Sequence, residues 1–94
     1  MSERITLRAS ITGRVQGVGF RDWTRDNAHR LGLSGWVQNE GDGSVTAVFS
    51  GPTAVVDEML SRCRDGPPWA RVDNIAVDIL DDAPHGPFQK RVAY

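Results

Sequence analysis

The stretch Gly13-Arg-Val-Gln-Gly-Val-Gly-Phe-Arg21 sits where the hydrophobic period of the chain changes. Before it, "ITLRASI" (5–11) alternates: Ile5, Leu7, Ala9 and Ile11 share one face, Thr6, Arg8 and Ser10 the other, as in a half-buried strand. After it, "FRDWTRDNAHRLG" (20–32) places Phe20, Trp23, Ala28 and Leu31 within about one helical face, with Gly32 at the stop. The stretch is therefore a strand-to-helix turn.

The same two periods continue outward. "LSGWVQN" reads as a glycine-interrupted strand, and "EGDG" turns the chain into "SVTAVFS", where Val45, Ala47 and Phe49 alternate. So short a turn predicts an antiparallel hairpin. Pro52 opens a second helix whose Val56, Met59, Leu60 and Cys63 fall at i, i+3, i+4 and i+7, and Gly66 with two prolines closes it. Residues 70–79 alternate through Val72, Ile75, Val77 and Ile79 with one slip that suits a bulge. A loop then leads to a last short strand, "FQKRVAY".

The order β-α-β-β-α-β with a short C-terminal strand predicts an α+β fold: a ferredoxin-like split βαβ two-layer sandwich, with two helices on one face of an antiparallel sheet. Right-handed crossovers make the first two strands parallel, with the third between them. The ends at Gly13 and Asn39 then share one sheet edge, two strand gaps or roughly 10 Å apart. An arginine from the loop and an amide from the second strand can meet over that gap.

The totals bound the function. With 94 residues, 39% hydrophobic and 24% charged, the chain is expected to be one globular domain spanning 1–94. A net charge of -1 offers no basic field for nucleic acid. No apolar run approaches the roughly 20 residues that span a bilayer, and no signal peptide is read at the start. One cysteine, Cys63, forms no intrachain disulfide and points to the cytoplasm. A monomer is expected.

In the quoted turn, glycines let successive N–H groups face inward, and such a nest opening into a helix N-terminus binds anions. Arg21 adds a planar fork that matches phosphate oxygens in pairs. By these residues alone, a plain turn with a solvated arginine fits equally well, and Asn39 fits a plain strand end. The run lacks the Gly-Lys-Ser/Thr ending of a nucleotide loop, and its glycines are misordered for a dinucleotide fingerprint.

Taken together, "ITGRVQGVGFR" and "GWVQNEGDGSVTAVFSG" resemble the two signature segments of the acylphosphatase family, without a mismatch in either. The resemblance covers nearly the whole chain. It implies the fold reached above and hydrolysis of the anhydride between a carboxylic acid and phosphate, with no metal or cofactor. It makes Arg21 the phosphate-binding arginine and Asn39 the residue orienting the attacking water. The main-chain amides of Gln16, Gly17, Val18, Gly19, Phe20 and Arg21 become the phosphate cradle. The chain departs from the family at its end, "KRVAY", where arginine does not directly precede the last tyrosine, so no role passes to Arg91 or Tyr94.

The chemistry agrees with a site of this kind. Phosphoryl transfer asks for alignment and charge neutralisation, which amides and a guanidinium supply. A carboxylate leaving group needs no general acid, whereas an alkoxide does. Asn39 cannot accept a proton as a base, so it can only position water. Trp23, Trp36 and Cys63 read as packing residues, and His29 and His85 lack metal-ligand spacing. The alternative is a phosphate-binding or regulatory module without catalysis. An RNA-binding sheet is disfavoured, since the first strand has no aromatic and the third only Phe49.

Overall fold

The computed structural model describes residues 3–92. Seven elements follow one another: β1 (Arg4–Arg14), α1 (Phe20–Arg30), β2 (Ser34–Asn39), β3 (Val45–Pro52), α2 (Thr53–Asp65), β4 (Arg71–Ile79) and β5 (Gln89–Lys90). They build one five-stranded sheet in the order β4-β1-β3-β2-β5. β3 lies between β1 and β2 and is antiparallel to both, so β1 and β2 run parallel as expected.

The alternation read along the strands is the burial pattern of the sheet's helix-covered face. Leu7, Ala9 and Ile11 of β1 and Val45, Ala47 and Phe49 of β3 are buried against Phe20 and Ala28 of α1 and Val56, Met59, Leu60 and Cys63 of α2. Burial of a side chain such as Phe20 contributes about 1.5–3 kcal/mol. It also ties the first turn of α1, and with it Arg21, to the sheet. Phe49 faces inward and stacks on Phe88 at 5.6 Å, so it offers no base-stacking platform.

Two expectations need correction. The sheet is mixed rather than wholly antiparallel, because β5 pairs with β2 in parallel, Trp36 opposite Gln89 and Val37 opposite Lys90. The reason is geometric. β4 runs antiparallel to β1 and ends where β1 begins, at the edge where β2 also starts. A connection crossing that edge must enter β5 in the direction of β2. The last strand is also shorter than "FQKRVAY", since Arg91 and Val92 lie outside it and residues 93–94 fall beyond those described. The slip in β4 is a register shift, as the bulge reading expects: Thr12 faces Asn74 but Gly13 faces Val72, leaving Asp73 extra. Val72 and Ile75, on either side of the shift, pack against the core. Val77 is 43% and Ile79 72% exposed, because β4 is an outer strand with one neighbour.

Candidate active site

Val15, buried just after the end of β1, fixes where the loop leaves the sheet. The Gln16 side chain then reaches across: its Nε2 donates to the carbonyls of Glu40 (2.8 Å) and Ser44 (2.9 Å). Those carbonyls belong to the β2–β3 hairpin, whose turn is held by Asp42 accepting from the Ser44 N–H at 2.9 Å. Gln16 thus ties the two sides of the sheet edge together.

Gly17 and Gly19 carry φ of +74° and +77°, in the left-handed region that disfavours any Cβ. A Cβ at either would meet nothing within 4 Å, so the dihedral and not space requires glycine. Gly19 caps α1 with no side-chain hydrogen bond. The first helical bond runs from the Trp23 N–H to the Gly19 carbonyl. The N–H groups of Phe20, Arg21 and Asp22 therefore have no acceptor inside the helix, and the positive end of its dipole is open to an anion.

The residues that carry these amides line a cavity of about 120 Å³. Of the residues expected at the site, Gln16, Gly17, Gly19, Phe20, Arg21 and Asn39 line it together. Val18 does not line it; its half-buried side chain packs against the core instead. The volume is well below the roughly 300 Å³ at which pockets begin to enclose drug-sized ligands. It suits a small polar anion.

Three further residues line the cavity: Val15, Asp22 and Lys90. The Lys90 ammonium donates to Asp22 Oδ1 at 2.6 Å, and Arg25 approaches the same oxygen at 3.6 Å. The Lys90 hydrogen bond, together with the charges of Lys90, Arg25 and Arg21, holds the Asp22 carboxyl below the usual range. Lys90 had no signal in the sequence beyond its place in the last strand. Only the parallel pairing of β5 brings it to the edge occupied by Gly13 and Asn39.

The chain's last described residues also steady Arg21. Its Nη1 donates to the Arg91 carbonyl at 3.0 Å, while the Arg91 N–H donates to Val37 and the Arg91 guanidinium sits 4.1 Å over the Trp36 ring. One of five N–H donors of Arg21 is thereby used. Tyr94 lies outside the described residues. His29 contacts the Phe88 carbonyl at 2.8 Å, and burial pushes the Cys63 thiol up to about 12, as befits a core residue. Among the described residues no group of three or more histidines, cysteines or carboxylates gathers to hold a metal, and no helix is long and apolar enough to cross a membrane.

Comparison with known proteins adds a second line of observation. The family model described as Acylphosphatase matches residues 7–90. The acylphosphatase of Rhizobium meliloti (strain 1021) is 62% identical over 81 residues, covering 86% of this chain and 85% of the relative. That of Sinorhizobium medicae (strain WSM419) is 54% identical over 86 residues, covering 89% and 92%. Among solved structures, an acylphosphatase from Coxiella burnetii superposes with a TM-score of 0.89 at 31% identity, over 94% of this chain and 93% of the other.

Proposed function

Starting from a chain that belongs to the acylphosphatase family and hydrolyses acyl phosphates, we propose that the bend from Gln16 to Arg21 is its phosphate cradle and that Asn39 orients the water. The observation that carries this reading is that the first residues of α1, Arg21 among them, line one small cavity together with Asn39.

The phosphoryl group sits against the main-chain amides of the bend, where the helix dipole favours its charge. Arg21, steadied by its bond to the Arg91 carbonyl, directs its remaining donors to the phosphoryl oxygens. Asn39 comes from the end of β2, across the cavity, and holds the water in line with the bond to be broken. The water oxygen bonds to phosphorus as the bond from phosphorus to the acyl oxygen breaks. The carboxylate leaves with the electron pair, and the water's proton passes to a phosphate oxygen. With a leaving group of pKa near 4, no general acid is called for.

The same reading takes the enzyme as a single unit over residues 1–94, working as a monomer in the cytoplasm without metal or cofactor. Support for the cytoplasm comes from the single, buried Cys63. Purified protein incubated with benzoyl phosphate and excess chelator is expected to turn it over at the untreated rate. Activity that vanished on chelation and returned with a divalent ion would overturn the metal-free reading.

Gly17→Val tests the cradle separately. A branched side chain at φ +74° costs about 1–2 kcal/mol, enough to lower the melting midpoint by about 4–8 °C per kcal/mol if the bend holds its shape. If instead the bend relaxes, its amides turn away and calorimetric phosphate binding weakens. Wild-type stability together with wild-type phosphate affinity would show that the bend is not a tight nest.

A further inference from the structure

Asp22 poses a difficulty for the reading above. It is the third residue of α1 and lines the cavity, so the helix carries a carboxylate into the place proposed for phosphate. A carboxylate in the first turn stabilises the helix through its dipole. The same negative charge repels a phosphoryl group that uses the same amides. Something must offset it for the site to favour an anion.

The residue placed to do so is Lys90. Its ammonium is 2.6 Å from Asp22 Oδ1 and it lines the same cavity, with 31% of its side chain exposed. Arg25 is the weaker partner at 3.6 Å, because its guanidinium also donates to Asp26 Oδ1 at 3.2 and 3.3 Å. The charged side chains lining the cavity are Arg21, Asp22 and Lys90, a sum of +1. Without Lys90 the sum is zero.

We infer that Lys90 is a charge-compensating residue of the phosphate cavity, clamping the Asp22 carboxylate so that it does not cancel Arg21. The inference rests on the proposed cradle and adds a residue to it. The effect belongs to ground-state binding of phosphate, not to the water, and therefore falls on KM rather than kcat.

The experiment is a charge cycle read by titration of inorganic phosphate and by steady-state kinetics with benzoyl phosphate, at low ionic strength. K90M is expected to weaken phosphate binding and raise KM by about five- to ten-fold, with kcat within about two-fold. Adding D22N to K90M is expected to restore both constants to within about two-fold of wild type. K90R, which keeps the charge, is expected to stay near wild type. Unchanged phosphate affinity in K90M, or no recovery in the D22N/K90M double variant, would overturn the inference while leaving the cradle standing. Wild-type protein that bound no phosphate at all would overturn both.

Discussion

Arg21→Gln is expected to lower kcat/KM for an acyl phosphate by about a thousand-fold or more, in the range seen where an arginine stabilises phosphoryl-transfer charge. That is about 4 kcal/mol of transition-state stabilisation. Glutamine keeps a polar side chain on the same backbone but removes both the charge and the planar fork. It also takes the summed charge of the cavity side chains from +1 to zero, so inorganic phosphate binds more weakly too. Folding is expected to change little. Arg21 is half-buried, and its only described side-chain bond is the 3.0 Å contact with the Arg91 carbonyl. The fold is held instead by its neighbour Phe20, which the variant retains. Kinetics and phosphate titration on the purified variant check this. A variant keeping a tenth of wild-type kcat/KM would remove Arg21 from the chemistry.

Much of this arrangement is legible in the sequence. The period-two runs at 5–11 and 45–49 and the period-3.6 runs after Phe20 and Pro52 each reflect one face pressed against the core. Their order left the parallel β1 and β2 flanking β3, and this put Arg21 and Asn39 at one edge. What was not legible has a common cause. β5 is two residues long, and so short a strand carries no period to read. Its direction follows from where β4 ends, a property of the assembled sheet. Lys90 therefore reads only as a residue of the last strand, although it lines the cavity. The same holds for Gln16, whose amide was expected to matter through its main chain. Its side chain is what ties the loop to the hairpin, at carbonyls 24 and 28 residues away. In β4 the strand and its bulge were legible, but the exposure of Val77 and Ile79 was not. Alternation is produced by apolar choice alone, while burial needs a neighbour, and an outer strand has one on a single side only. Nor did the pattern decide between a hydrolase and a phosphate-binding module; kinship with acylphosphatases over most of the chain does.

Asn39→Ala separates the two halves of the proposed site. Asn39 ends β2, its backbone opposite Val45, while the cradle belongs to the loop after β1. Truncation therefore leaves the amides and Arg21 where they are. Phosphate affinity is expected to stay within about two-fold of wild type, since a neutral amide adds little to the charge balance that governs anion binding. The water is another matter. Alanine can neither donate to it nor accept from it, so the nucleophile loses its alignment with the breaking bond. Misplacement of a reacting group by about 1 Å is enough for about a hundred-fold loss, and a fall in kcat of at least that size is expected, with KM nearly constant. The contrast with Arg21→Gln, which strikes binding and turnover together, is the discriminating result. Should Asn39→Ala lose phosphate affinity and kcat in equal measure, Asn39 would be a phosphate ligand, and the water would need a different partner across the cavity.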